Sequence, residues 1–216
     1  TLEGKPKTLI VIPSFNEEDS IGQVLEDVKK YAPGISVLVV NDGSVDQTAQ
    51  IAEEHGARVI SLPYNSGYGV ALQTGYLYAR KHNYSIVVQM DADGQHDPGL
   101  IPKFIGLAKN YDVVIGSRFV EGGSTPYFSS YRLLLSKLGN FLVRYLGGAY
   151  VLRDCTSGYR VIKREILEKC QFSSFPTRGY SFQSWLICEL LRQGATIKES
   201  PIIFAKRETG KSKLSL

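Results

Sequence analysis

At 216 residues, 43% of them apolar and 21% charged, the chain is an ordinary globular sequence, long enough to bury a sizeable core as one large domain. No window of it approaches the apolar length that crosses a bilayer and no signal peptide precedes the first strand. The formal net charge of +4 hides an asymmetry: residues 1–100 hold 7 Lys/Arg against 13 Asp/Glu, a balance of −6, and residues 101–216 hold 18 against 8, a balance of +10. An acidic half facing a basic half suits a polyanionic ligand between them, diphosphate being the obvious candidate. Nucleic acid is disfavoured, because the basic residues are spread over several elements and not gathered in one run. Cys155, Cys170 and Cys188 form an odd, scattered set without metal spacing, which reads as reduced structural thiols of a cytoplasmic environment.

Thr8 to Pro13 reads as a first strand, followed by Ser14-Phe15-Asn16-Glu17-Glu18. Ile21, Val24, Leu25 and Val28 then recur at helical spacing and predict a helix over the sheet. A second strand, Ser36 to Val40, ends in Asn41-Asp42-Gly43-Ser44, and Asp46 can cap a helix that Gly56 ends. Ala57 to Leu62 is a third strand, and Gly67, Gly69 and Gly75 bracket a helix running to about Lys81. Ser85 to Met90, short and β-branched, is a fourth strand buried on both faces.

That strand stops in Asp91-Ala92-Asp93-Gly94-Gln95-His96-Asp97. Two carboxylates at i and i+2 beyond a strand end can converge from one side, with a small Ala between them to admit a ligand, and they repel unless a cation sits between them. Mg2+ or Mn2+ is the natural partner for an all-oxygen donor set that leaves room for phosphate and water. Gln95 adds a neutral carbonyl oxygen and His96 a possible imidazole, whereas Asp97-Pro98 reads as a helix cap. Strand-helix alternation up to this point, and on to a fifth strand at Asp112 to Gly116, predicts a Rossmann-like parallel sheet with helices on both faces and right-handed crossovers.

Beyond Gly116-Ser117-Arg118 the pattern changes. Gly122, Gly123 and Ser124 read as a flexible link into a long helix from Ser130 to about Leu146, whose apolar positions are too many for one narrow stripe. Two readings stay open for it: packing on two sides, or lying at a lipid interface with Arg132, Lys137 and Arg144 at headgroup level. Asp154 to Arg160 reads as a polar turn, followed by helices from Lys163 to Cys170 and from Tyr180 to Gln193. Thr196 to Lys198 and Ile202 to Phe204 read as the last strands, and a basic tail follows that stays mobile unless an anion orders it.

In such a sheet the loops after strands one, two and four meet at one edge. That gathers Pro13 to Glu17, Asn41 to Ser44 and Asp91 to Gln95 around one crevice, the first two loops suited to a nucleoside and the third, with its metal, to a diphosphate. A Walker Lys loop is absent from the sequence, and Gly67-Tyr68-Gly69 lacks dinucleotide spacing.

Eight segments then resemble, in order over nearly the whole chain, family 2 glycosyltransferases of GT-A fold, in the dolichol/polyprenyl-phosphate mannose synthase branch. They are Ile12 to Glu17, Asn41 to Asp46, Asn65 to Gly69, Asp91 to His96, Gly116 to Arg118, Thr156 to Arg160, Gly179 to Gln183 and Arg207 to Lys213. The resemblance implies a nucleotide-sugar-binding half, 1–120, and an acceptor-side half, 121–216, within one structural domain. It implies that Pro13, Phe15, Glu17, Val40 and Asp42 line the nucleoside pocket, that Asp91 and Ala92 touch the nucleotide sugar, and that Asp93 and Gln95 hold Mg2+ or Mn2+. Arg118, Arg132 and Ser136 would meet an acceptor phosphate, and Arg207 with Lys213 the donor diphosphate.

The implied reaction is a metal-dependent transfer of a hexose, with inversion, from a GDP-mannose or UDP-glucose type donor to a polyprenyl phosphate. Asp93, Arg118 and Arg132 carry it, at the cytoplasmic face of a membrane. The alternative within the family is extension of a cell-surface polysaccharide on a sugar hydroxyl, which needs a carboxylate base; only Asp154 or Glu189 is available. Two departures stand out: Asn41 replaces the first of a pair of acids, and Trp185 stands where the family carries an acid two residues after Phe-Gln.

Overall fold

The computed structural model describes residues 7–172, 179 and 181–206. Within them the chain runs β1 (Thr8–Ser14), α1 (Glu18–Tyr31), β2 (Ser36–Asn41), α2 (Thr48–Glu54), β3 (Arg58–Ser61), α3 (Tyr68–Lys81) and β4 (Ile86–Gln89). A 3-10 turn, Pro98–Leu100, leads to α4 (Ile101–Leu107), β5 (Val113–Ser117), α5 (Ser130–Leu146), β6 (Arg160–Lys163), α6 (Arg164–Lys169), α7 (Ser181–Arg192) and β7 (Ile197–Pro201). The seven strands form one mixed sheet of order β3-β2-β1-β4-β6-β5-β7. All its pairings are parallel except the two that β6 makes, with β4 and with β5.

Each strand sends alternate residues to opposite faces, and both faces are covered. On one, Leu9, Val11, Leu38, Val40, Val87 and Ile162 pack under Leu72 and Tyr76 of α3 and Phe182 and Leu186 of α7. On the other, Ile10, Ile12, Val39, Val88 and Val161 pack under Ile21, Val24 and Leu25 of α1 and Phe104 of α4. Gly75 lets α3 approach β1 closely: a Cβ there would stand 2.3 Å from Val11 Cγ1.

Three expectations are corrected. The expected polar turn and helix start around residue 160 conceal a strand, β6, which runs antiparallel between β4 and β5. It has four residues, Arg-Val-Ile-Lys, and Arg160 is fully buried, so neither length nor polarity marks it as an interior strand. The expected strand at Ile202 to Phe204 is a single bridge from Ile203 to Ser124. That bridge also removes the flexibility expected of the Gly122 to Ser124 link, since Ser124 N donates to Ile202 O and Phe204 N donates to Ser124 O.

Helix α5 is set apart. Asn140 is its buried residue, while Tyr131, Leu134, Leu138, Phe141, Leu142, Tyr145 and Leu146 are exposed. Of the two readings of this helix, packing on two sides is not what the described residues form. Among them, no helix is long and apolar enough to cross a membrane.

Candidate active site

The carboxyl ends of β1, β2 and β4 lie side by side and open into a cleft of about 650 Å3. The loops after β1 and β2 are stitched together by side chains: Asn16 N donates to Ser44 Oγ at 2.9 Å, Val45 N to Asn16 Oδ1 at 2.9 Å, and Glu17 N to Thr48 Oγ1 at 2.8 Å. Asn41 uses both ends of its amide, donating to Ser61 Oγ at 3.0 Å and accepting from Ser44 N at 3.0 Å. A carboxylate here would keep the bond from Ser44 N and would need the Ser61 hydroxyl to turn and donate to it.

Asp42, buried, accepts from Ser66 N at 2.7 Å and from Gly67 N at 2.9 Å. Burial pushes its carboxyl above the ordinary value, against the pull of those two amides. Gly43 makes the crossing possible, with φ +70° and a virtual Cβ 2.4 Å from the Tyr64 carbonyl carbon.

At the end of β4, Asp91 Oδ1 accepts from the Tyr68 hydroxyl at 2.7 Å. Burial raises its carboxyl, which the Tyr68 bond and the nearby Arg118 and Arg160 charges oppose. Behind it, Gly158 leaves room where a Cβ would come within 2.9 Å of Asp91 Oδ2. Asp93 Oδ1 accepts from Gln95 N at 3.1 Å, and Gln95 Nε2 donates to Ala205 O at 2.8 Å. The Gln95 amide is therefore turned with its nitrogen to the protein, leaving Oε1 as its ligand end.

Asp93 and Gln95 are hard oxygen donors that share the cleft wall, and they fit a Mg2+ or Mn2+ ion that takes its other ligands from phosphate and water. No group of three or more His, Cys, Asp or Glu side chains among the described residues could hold a metal on its own, so such an ion would depend on the ligand it arrives with. His96 does not join them. It is buried, stacked on Tyr159 at 4.9 Å, and its Nδ1 accepts from Asp91 N at 3.1 Å. Burial holds it neutral, its pKa lowered to about 4. Asp97 caps the 3-10 turn by accepting from Gly99 N at 2.8 Å.

The basic wall comes from Arg118 and Arg132. Arg118, at the end of β5, gives Nε and Nη2 to the two oxygens of Asp154 at 2.7 Å each, and Nη2 also to Thr156 Oγ1 at 2.7 Å. Thr156 Oγ1 in turn accepts from Asn140 Nδ2 at 3.1 Å, so the one buried residue of α5 is tied to the partner of Arg118. Arg132, on the first turn of α5, lies over the Phe128 ring at 4.1 Å.

Of the residues expected here, Pro13, Phe15, Glu17, Asp42, Asp91, Ala92, Asp93, Gln95, Arg118 and Arg132 line the cleft. Val40 and Ser136 do not: Val40 is fully buried in the core beneath α3, and Ser136 sits half-buried along α5 with its carbonyl accepting from Asn140. Arg207 and Lys213 lie outside the described residues.

The structure adds Tyr68, Thr156, Gly158, Gln183 and Phe204 to the wall. All but Phe204 fall in segments that carry the family resemblance, but nothing in their spacing singles out these side chains. Neither candidate base is placed for that work. Burial alone would raise the Asp154 carboxyl, but the Arg118 bonds and charge, with the amides of Arg118 and Thr156, outweigh it and hold it below the ordinary value. Glu189 faces Arg192 and Gln193, away from the cleft lining. Trp185 is half-buried and likewise outside the lining.

The profile of the family described as Glycosyl transferase family 2 matches residues 9–171. Polyprenol monophosphomannose synthase of Mycolicibacterium smegmatis is 35% identical, the alignment covering 100% of this chain and 83% of that protein. Undecaprenyl-phosphate mannosyltransferase of Micrococcus luteus is 33% identical over 97% of this chain and 88% of its own length. Among solved structures, glucosyl-3-phosphoglycerate synthase from Mycobacterium tuberculosis, in complex with Mn2+ and UDP-glucose, superposes with a TM-score of 0.71 at 23% identity, covering 97% of this chain and 73% of that one. The same enzyme with Mn2+, UDP and glucosyl-3-phosphoglycerate gives 0.73 at 22% identity, over 95% and 73%. A mixed sheet with a ligand cleft at the ends of its parallel strands and a family profile over three quarters of its length place this chain in glycosyl transferase family 2, as a glycosyltransferase of GT-A fold.

Proposed function

We propose that the chain transfers a hexose, with inversion, from a nucleoside-diphosphate sugar to a polyprenyl phosphate, the 1–120 half holding the donor and the 121–216 half the acceptor. The observation that carries this reading is the chemistry of the acceptor side: two arginines, Arg118 and Arg132, border the cleft, while Asp154 is locked to Arg118 and Glu189 is turned away. A sugar hydroxyl would need a base to become a nucleophile, whereas a phosphate monoester arrives at about −1.5 to −2 charge and needs positioning. The names of the two curated relatives favour mannose as the sugar and a polyprenyl phosphate as its acceptor.

In this reading Pro13, Phe15, Glu17 and Asp42 surround the nucleoside, with Val40 as support from the core, and Asp91 and Ala92 face the sugar. Asp93 and Gln95 would hold Mg2+ or Mn2+, which supplies positive charge to the departing diphosphate. Arg207 and Lys213 would add to that charge from the tail. Arg118 and Arg132 bring the acceptor phosphate behind the anomeric carbon, so that the new bond forms as the diphosphate leaves on the opposite side; Ser136 would contribute from α5. The exposed apolar positions of α5, with Lys137 and Arg144 on the same helix, fit a membrane surface where a lipid acceptor is presented.

The test is transfer from GDP-mannose, UDP-glucose and UDP-GlcNAc, with Mg2+ or Mn2+, to a short polyprenyl phosphate. Transfer that disappears in Asp93→Ala supports the proposal and names the sugar. Metal-dependent donor hydrolysis without lipid transfer would overturn the acceptor assignment and favour a sugar hydroxyl.

A further inference from the structure

Gln183 lines the cleft from the first turn of α7, yet is only 5% exposed, and its Oε1 is buried with no hydrogen-bond partner among the described residues. Its orientation is dictated by its surroundings. The single proton of the Tyr68 hydroxyl goes to Asp91 Oδ1 at 2.7 Å, so that oxygen can only accept from its other neighbours. It accepts from Gln183 Nε2 at 2.6 Å and from Gln89 Nε2 at 3.2 Å. Gln89 is held in turn, its Oε1 accepting from the Tyr76 hydroxyl. Turning the Gln183 amide over would set its carbonyl against a hydroxyl whose proton is already engaged. The main chain is fixed as well, because the fully buried Arg160 donates from Nη1 to Gln183 O at 2.9 Å and from Nη2 to Cys155 O at 2.9 Å.

A buried acceptor held this firmly without a donor is rare in a native fold and calls for a ligand that brings one. Phosphate oxygens carry lone pairs and negative charge and would be repelled by a carbonyl, and an isoprenoid tail has no donor. Sugar hydroxyls do. Asp91 stands next to Gln183 across Tyr68, and the absent Cβ of Gly158 would reach 2.9 Å from Asp91 Oδ2 and 3.1 Å from Gln183 Nε2. Gln183 and Asp91 thus present acceptor groups on one stretch of wall, the pattern that suits a polyol. We infer that Gln183 Oε1 accepts a hydrogen bond from one hydroxyl of the transferred sugar, and that Gln183, oriented by Tyr68, helps select the hexose. The inference rests on the donor reading above and assigns a residue within it.

The experiment measures kcat/KM for the nucleotide sugar that the wild-type protein uses and for its four monodeoxy analogues at C2, C3, C4 and C6, in wild type, Gln183→Leu and Tyr68→Phe. In wild type one analogue falls about 10- to 100-fold below the parent. In Gln183→Leu the parent falls by a similar factor and the penalty on that one analogue vanishes, while the other penalties stay. Tyr68→Phe keeps the ring but frees the Gln183 amide and Asp91 together, so it weakens the same penalty along with any that Asp91 carries; should Gln183→Leu fail to fold, Gln183→Met, of similar length without the carbonyl, reads the one penalty alone. Penalties unchanged in both variants, or a uniform fall for every donor, would overturn the inference and leave Oε1 to an ordered water. Absence of any sugar transfer by wild type would instead overturn the glycosyl-transfer proposal, and is seen before a variant is made.

Discussion

Arg118 and Asp154 meet in a bidentate pair, both bonds 2.7 Å, with side chains 8% and 0% exposed. The geometry fixes the guanidinium plane at the cleft wall, since Nε and Nη2 are committed to the carboxylate and to Thr156. Asp154→Ala leaves that buried charge without its partner, and the expected cost is about 3–5 kcal/mol, or roughly 6–20 °C in Tm. The pH dependence follows from the sign of the shift. Asp154 has a folded pKa below the ordinary 3.8, so its contribution is complete above 3.8 and lost as pH falls through the lower folded value. Chemical denaturation at pH 7 and near pH 3 checks both: the gap between wild type and Asp154→Ala shrinks at the lower pH.

Gly158→Ala separates positioning from folding. The added methyl would stand 2.9 Å from Asp91 Oδ2, so Asp91 must move, while the glycine is not at a left-handed backbone position that would strain the fold. A displaced cleft carboxylate predicts a loss in kcat/KM on the order of 100-fold, with Tm changed by only a few degrees. Steady-state kinetics beside a thermal melt reads the two apart; an equal collapse of both would show Gly158 to be structural.

Asn41→Asp restores the acid usual in the family at that position. Here it forces the Ser61 hydroxyl to turn and donate, and sets a second carboxylate beside buried Asp42, whose own carboxyl is already raised by burial. The expected result is a loss of about 1–3 kcal/mol in stability and a weaker grip on the donor, measured by urea unfolding and by donor titration.

Leu134, Leu138 and Phe141 are each more than half exposed on α5, so replacing all three by Ser leaves stability within about 1 kcal/mol. Sedimentation with anionic vesicles should fall at least several-fold, and KM for a polyprenyl phosphate presented in those vesicles should rise. KM for a detergent-free, short-chain acceptor should stay as it was. Unchanged vesicle binding would remove the membrane role proposed for this helix.

The N-terminal half of the fold is legible in the sequence because its signals are local. Four strand segments of five or six residues, each with four apolar side chains, alternate with helices of clear period, and each loop that carries chemistry follows a strand directly, so Asp42, Asp91 and Asp93 can be placed from the sequence alone. The C-terminal half is governed by long-range pairing. Arg160 reads as a turn residue because its burial depends on carbonyls at Cys155 and Gln183, and β6 exists only because β4 and β5 flank it. Asp154 looks like a spare carboxylate until Arg118, far earlier in the chain, is seen to occupy it. Gln183 and Tyr68 are hidden for the same reason, since their roles arise from a contact between α7 and the start of α3.

The insertion of β6 between β4 and β5 also sets an order of events as the chain leaves the ribosome. β1 to β4 can pair with one another as soon as they emerge, but β5 pairs only with β6 and β7. From the release of Ser117 until Arg160 to Lys163 appears, an interval on the order of seconds at ~5–20 residues per second, β4 offers an open edge and β5 has no strand to join. A nascent chain halted near residue 120 therefore carries an unpaired strand edge of the kind that chaperones shield and that aggregates recruit.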